Sequence, residues 1–187
     1  MDVFLKDLRN ATECAAKELR KAVVNFEEAR FHREQRQEAQ LVAEVYHYLR
    51  SNCYFAKDLF MEYLYPRASI NGKQKKLKPD LIFENNGADH VVEFGVFWDA
   101  DLYLKNSILN QSAKNTVENY YEKILSYSEL RGNVAKGYLV FAFLGPDLFE
   151  SGKRFNQSEF VDSLLKHIDY LKSQKKKTNF PVEVIVS

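Results

Sequence analysis

The first fifty residues have the hydrophobic spacing of helices. No glycine or proline lies between residues 2 and 51, and apolar side chains recur there at steps of three or four. These positions are Leu5, Leu8, Ala15, Leu19, Val23 and Phe26, followed by Leu41, Val42, Val45 and Leu49. The charged stretch from Glu27 to Gln37 between the two sets fits either one continuous helix or a junction between two helices.

Beyond residue 51 the pattern changes to shorter apolar segments bounded by Gly, Pro and Asn, which is typical of strands. Strands are predicted over 59–65, 77–83, 90–97, 137–144 and 181–186. Helical spacing predicts two further helices, over 113–130 and 158–173. Asn86-Gly87 marks a hairpin turn, and the stretch 100–111 fits either a short helix or a lid.

The predicted order of elements is helix, helix, three strands, helix, strand, helix, strand. This order favours a mixed α/β fold in which helices cover one central sheet. A chain of 187 residues has the length of one domain. We therefore expect a single domain over residues 1–187.

Composition narrows the functional classes. Lys and Arg number 27 against 26 Asp and Glu, so affinity for a polyanion must come from local patches. No apolar segment approaches the roughly 18–20 residues of a membrane span, which predicts no membrane partner. The N-terminus lacks signal-peptide character, and Cys14 and Cys53 are too few for a disulfide-stapled domain. A cytoplasmic protein is expected.

Two acidic residues stand out against their surroundings. Asp80 follows Pro79 where a turn becomes a strand, and Glu93 lies within an otherwise apolar strand. A carboxylate in such a strand needs a partner, because an isolated buried charge is very costly. Carboxylates on neighbouring hairpin strands can converge on one divalent cation, and oxygen ligands of this kind suit Mg²⁺ or Mn²⁺.

Together, Pro79-Asp80, the hairpin, Glu93-Phe94-Gly95 and the flanking helices resemble the PD-(D/E)XK nuclease superfamily. The resemblance implies a restriction-endonuclease-like αβββαβ core over roughly residues 34–144. Within the single domain, residues 1–33 would be a long N-terminal helical extension, and residues 34–187 the nuclease-like core. It also implies that Asp80, Glu93 and the main-chain carbonyl of Phe94 hold Mg²⁺ or Mn²⁺. A Glu on the preceding helix often completes such a site, and Glu38 lies in the middle of that helix's apolar stripe.

One motif residue of the superfamily is missing. The lysine expected two residues after Glu93 is Gly95. Three interpretations stay open: a lysine reaches in from the next helix, metal alone supports weak activity, or the fold only binds. The first resembles the cap-cutting endonucleases of segmented negative-strand RNA viruses. Lys114 is the first candidate, because Val117 and Tyr121 follow it on the inward face, and Lys105 is the second.

The predicted function is a metal-dependent nuclease that hydrolyses phosphodiester bonds of DNA or RNA, with Asp80, Glu93 and Lys114 as catalytic residues. The alternative is an inactive nuclease-fold module that binds nucleic acid or a partner protein, and the N-terminal helix offers a surface for a homodimer. Glu62 is either an added ligand or solvent-facing. Candidate nucleic-acid contacts are Lys73, Lys75, Lys76, Lys78 and Lys105, although the first four also suit a solvated turn.

Overall fold

The computed structural model describes residues 3–22, 34–52, 54–55, 57–62, 68–70, 73–75, 78–97, 104–105, 108–144, 157–174 and 180–187. In this part of the chain there are four helices: α1 (Val3–Ala22), α2 (Glu34–Asn52), α3 (Gln111–Leu130) and α4 (Gln157–Gln174). The strands are β1 (Leu59–Met61), β2 (Ala68–Ile70), β3 (Lys73–Lys75), β4 (Leu81–Asn85), β5 (Ala88–Phe97), β6 (Leu104–Lys105), β7 (Ile108–Leu109), β8 (Val134–Phe143) and β9 (Val182–Val186).

Five strands form one mixed sheet in the order β1-β4-β5-β8-β9. The pairs β1–β4 and β4–β5 are antiparallel, whereas β5–β8 and β8–β9 are parallel. Parallel neighbours need a crossover connection, and α3 and α4 lie in the two connections concerned. Two separate ribbons pair β2 with β3 and β6 with β7.

The central strand β5 separates two apolar layers, because successive side chains point to opposite faces of a sheet. Val92, Phe94 and Val96 pack in one cluster with α1 and α2. Phe97 packs in another with α3, α4 and Phe141 of β8. The predicted mixed α/β fold, with helices on both faces of a central sheet, is confirmed.

Helices α1 and α2 are separate and lie against each other. The Tyr54 hydroxyl, just after α2, donates a hydrogen bond of 3.0 Å to Asp7 near the start of α1, so the chain reverses between the two helices. This excludes the single continuous helix. The junction itself lies outside the described residues.

The apolar face of α1 belongs to the core of the same chain. Phe4, Leu8, Ala11 and Leu19 are buried in the cluster that contains α2 and β5. This face is covered by α2 and the sheet. The homodimer through the N-terminal helix stays a prediction.

Several predicted boundaries differ from those observed, among them the strand predicted over 77–83, which is Leu81–Asn85. The strand predicted to reach residue 65 ends at Met61, because Glu62 adopts a left-handed backbone with φ of 52°. The segment 100–111, for which a short helix or a lid was predicted, contains the paired strands β6 and β7 rather than a short helix. The predicted hairpin turn is confirmed: Asn86 and Gly87 both have positive φ, 53° and 78°, as a tight turn of the I′ type requires.

None of the described helices combines the length and the apolar character needed to cross a membrane.

Candidate functional site

Asp80 lies at the entry to β4 and is fixed by two main-chain contacts. Its carbonyl accepts a hydrogen bond of 2.9 Å from the N–H of Glu62. Its carboxylate oxygen Oδ2 accepts one of 2.8 Å from the N–H of Phe94 on β5. The antiparallel pairing of β4 with β5 ends at Leu81 and Val92. Asp80 is the next residue and lies beside β5 just beyond the end of this pairing.

The same register orients the main chain of Phe94. The N–H and C=O of one strand residue point to the same side, since a hydrogen-bonded antiparallel pair exchanges both. The Phe94 N–H points to Asp80, so the Phe94 carbonyl faces that side as well. The structure thereby brings the predicted carbonyl ligand toward the predicted carboxylate ligand.

Glu93 is fully buried in the middle of β5, with no exposed surface. Its two carboxylate oxygens are used separately. Oε2 accepts a hydrogen bond of 2.5 Å from the Lys123 ammonium, and Oε1 accepts one of 2.5 Å from the Tyr127 hydroxyl. Both partners lie on α3, so this helix supplies what a buried carboxylate requires.

Lys123 also connects Glu93 to Asp80. Its ammonium lies 4.0 Å from Oδ1 of Asp80, so one cation serves both predicted metal ligands. On α3, Tyr120, Lys123 and Tyr127 are spaced by three and seven residues and therefore share one face of the helix. This polar face meets the acidic residues, while the adjacent apolar face packs against α4 and the sheet.

Burial and mutual repulsion alter the protonation of this group. Burial, and then the negative charge of Asp80, raise the pKa of Glu93 to about 8. Burial likewise raises the pKa of Asp80, although Lys123 opposes that shift. Burial alone would lower the pKa of Lys123, but the attraction of Glu93 and Asp80 outweighs it and the pKa is raised. Lys123 therefore stays protonated at neutral pH, whereas burial disfavours the ionised forms of Asp80 and Glu93.

Glu38 reaches the same region from α2. Its Oε2 accepts a hydrogen bond of 2.5 Å from the Tyr120 hydroxyl, and its negative charge helps to raise the pKa of Lys123. Burial and then the charge of Glu38 raise the pKa of Tyr120, so this phenol stays protonated and donates. The three predicted acidic residues thus surround one polar face of α3.

Lys114 does not take part, which corrects the prediction that it replaces the missing lysine. Lys114 precedes Lys123 by nine residues, which is two and a half helical turns. It therefore lies about 13.5 Å from Lys123 along the helix axis and on the opposite side of α3. Lys114 instead lines a groove of about 530 Å³ between α3 and α4 with His167 and Tyr170. There, burial and the charge of Lys114 lower the pKa of His167.

The predicted basic cluster is described only in part. Lys78 is half-exposed and forms an ion pair of 2.7 Å with Glu62. Glu62 is therefore exposed at the rim of the site rather than inside it, although its charge contributes to the raised pKa of Asp80. Lys76 and the side chains of Lys73, Lys75 and Lys105 lie outside the described residues.

The chemistry of the donors suits a hard cation, because carboxylate and carbonyl oxygens are the ligands that Mg²⁺ and Mn²⁺ prefer. In the part of the chain that the structure describes, the charges of Glu38, Asp80 and Glu93 all act on the ammonium of Lys123 and raise its pKa. Among the described residues, however, no three His, Cys, Asp or Glu side chains are spaced to hold an ion. The structure gathers Asp80 and Glu93 around Lys123 and places Glu38 on Tyr120.

Sequence reasoning identified the acidic residues but missed the three α3 residues that contact them. A signal was present: Tyr120, Lys123 and Tyr127 form a polar stripe at helical spacing beside the apolar one. The apolar stripe drew attention to Lys114 instead. Which stripe faces the acids depends on how α3 is rotated over β5.

Comparison of the chain with protein-family models, curated proteins and solved structures found no match.

Proposed function

We propose that the protein is a metal-dependent nuclease that hydrolyses phosphodiester bonds of DNA or RNA. The observation that carries the proposal is the contact of Lys123 with both Glu93 and Asp80. It supplies, from the following helix, the positive charge that a PD-(D/E)XK site has on the strand and that Gly95 lacks.

The element order supports the same proposal. Helix α2, strands β1, β4 and β5, helix α3 and strand β8 follow one another along the main sheet. This order supports an αβββαβ core of the restriction-endonuclease-like kind, in which the β2–β3 ribbon and the β6–β7 ribbon would be insertions. The positions of the acidic residues, at β4 and β5 and on α2, support the same proposal.

In the proposed site, Asp80, Glu93 and the Phe94 carbonyl would hold Mg²⁺ or Mn²⁺, and Glu38 would complete the set. The ion would lower the pKa of a bound water and stabilise negative charge on the phosphate. The chain's own residues prepare the site: the Phe94 N–H orients Asp80, and Tyr127 and Lys123 orient Glu93.

Lys123 then places a fixed positive charge where negative charge develops during attack on phosphorus. Its raised pKa keeps the ammonium charged throughout the neutral range. Lys78, at the rim, would contact backbone phosphates. Lys73, Lys75, Lys76 and Lys105 are proposed as further phosphate contacts from the sequence. Such contacts position the nucleic acid without reading its sequence.

The test is cleavage of single-stranded DNA, RNA and plasmid by the purified protein with Mn²⁺ or Mg²⁺. Asp80→Asn and Glu93→Gln should each abolish cleavage, and Lys123→Met should lower it about 10²- to 10³-fold. Lys114→Met, on the opposite face of the same helix, should leave cleavage intact. Absence of cleavage of every substrate, together with absence of Mn²⁺ binding by calorimetry, would refute the proposal.

A second candidate is an inactive module of the same fold that binds nucleic acid or a partner protein. It is favoured by the direct contact between the Lys123 ammonium and Glu93, in which the lysine itself provides the cation for the buried carboxylate. Under this alternative, Asp80→Asn leaves nucleic-acid binding unchanged and Mn²⁺ has no effect on thermal unfolding.

A further inference from the structure

We propose that Tyr120 is a positioning residue that holds Glu38 at the acidic site, and that Gly95 provides the space this tyrosine needs. The inference deepens the proposed nuclease function and rests on it. Tyr120 would act through Glu38, without touching the reacting atoms.

The first support is the contact itself. The Tyr120 hydroxyl lies 2.5 Å from Oε2 of Glu38 and joins two helices whose residues are 82 positions apart. Glu38 comes from α2, which packs on one face of the sheet, whereas α3 packs on the other. A carboxylate arriving from the opposite layer needs a fixed donor, because a glutamate on its own has several rotamers of similar energy.

The second support is the way the Tyr120 ring is held. A Cβ placed on Gly95 would lie 3.1 Å from Cε2 of Tyr120 and 2.8 Å from Cδ1 of Phe141. The Tyr120 and Phe141 rings also meet edge to face, with centroids 6.0 Å apart and planes at 82°. The ring therefore lies directly on the β5 main chain, at a position that any side chain on residue 95 would obstruct.

These two contacts explain the departure from the superfamily pattern as one coupled change. A lysine at position 95 would project into the space that Tyr120 and Phe141 fill. With glycine there, Tyr120 lies over the strand and reaches Glu38, and Lys123, one turn further along α3, contacts Glu93 and Asp80. Lys123 and Tyr120 of α3 would thus together take the place of the lysine that the superfamily has at the position of Gly95.

The experiment measures Mn²⁺ affinity by calorimetry for the wild type, Tyr120→Phe, Glu38→Gln and the double variant. Tyr120→Phe should weaken Mn²⁺ binding about 10- to 100-fold, the usual effect of removing an outer partner of a metal ligand. In the Glu38→Gln background the same change should have no further effect. Tyr121→Phe is the matched control and should bind Mn²⁺ as the wild type does, because Tyr121 packs in the apolar cluster on the adjacent face of α3.

Nuclease assays give an independent measurement. In Tyr120→Phe, the Mn²⁺ concentration for half-maximal cleavage should rise by the same factor, and cleavage at saturating Mn²⁺ should be largely retained. A merely structural role would lower the melting temperature without this shift. Glu38→Asp, which shortens the acid and leaves the Tyr120 packing untouched, should reproduce the loss of affinity if Tyr120→Phe folds poorly.

The two proposals fail in different ways. If the wild type binds no Mn²⁺ and cleaves nothing, the nuclease proposal fails and this inference fails with it. If the wild type binds Mn²⁺ but Tyr120→Phe or Glu38→Asp binds it equally well, or if the Tyr120 and Glu38 effects simply add, only the positioning role is overturned.

Discussion

The ammonium of Lys123 lies 2.5 Å from a carboxylate oxygen of Glu93, a residue without exposed surface, and 4.0 Å from Asp80. Lys123 and Glu93 are 30 positions apart and lie on α3 and β5. The ammonium of Lys123 thus interacts with two carboxylates that would otherwise repel each other in a buried environment.

Removing the Lys123 charge should separate metal binding from catalysis. In Lys123→Met, Mn²⁺ should bind more tightly, because the competing ammonium is gone, while cleavage falls about 10²- to 10³-fold, as when one stabilising donor is lost from a transition state. Calorimetry and a fluorescent oligonucleotide assay measure the two effects, with Lys114→Met as control. Weaker Mn²⁺ binding in Lys123→Met would show that the lysine does not compete for the carboxylates.

Glu93 should make stability depend on pH when divalent cations are removed by a chelator. Its pKa is raised from 4.5 to about 8 by folding, so the folded state binds more protons than the unfolded state between these values. The contribution is fully present below pH about 4.5 and is lost as the pH rises through about 8.

The measurement is the melting temperature across this pH window for the wild type and Glu93→Gln. The wild type should lose stability with rising pH more steeply than the variant, since an amide does not titrate. Parallel curves for the two proteins would contradict the raised pKa.

Gly95→Ala should destabilise the protein although alanine is small. The new Cβ would meet Phe141 at 2.8 and 2.9 Å and Tyr120 at 3.1 Å, and such overpacking costs about 1–3 kcal/mol of unfolding free energy. Chemical denaturation measures it. Gly132→Ala is the control, because a Cβ there meets no atom within 4 Å. Equal stability of the two variants would mean that the β5 surface has more room than the structure shows.

Helix α1 should behave as part of the core of a single chain. Leu8 is fully buried, so Leu8→Ala should lower the unfolding free energy by about 2–5 kcal/mol. Val3→Ala, at a position 69% exposed on the same helix, should change it by less than about 0.5 kcal/mol. Because the apolar face of α1 is covered within the chain, light scattering should give a monomer for the wild type. A dimer that Leu8→Ala dissociates would instead support the homodimer prediction.

Local patterns were sufficient for most of the helices and strands. The β4–β5 hairpin followed from Asn86-Gly87, since few residues other than Asn and Gly adopt positive φ readily. The end of β1 did not follow, because the left-handed backbone of Glu62 has no signature in residue type. The failure of Lys114 has a different origin: an apolar stripe shows which side of a helix is buried, but not which flank of that stripe meets a polar site.

The sequence by itself determined the α/β order of elements and marked Asp80 and Glu93 as unusual acids, because periodicity, turn chemistry and the cost of a charge in an apolar strand are local properties. Glu38 followed only from the family resemblance. Only the tertiary structure decided which cation these acids meet. The rotation of α3 over β5 is set by long-range packing, in which Tyr120 and Phe141 close on Gly95. That rotation brings Lys123 to Glu93 and directs Lys114 toward His167.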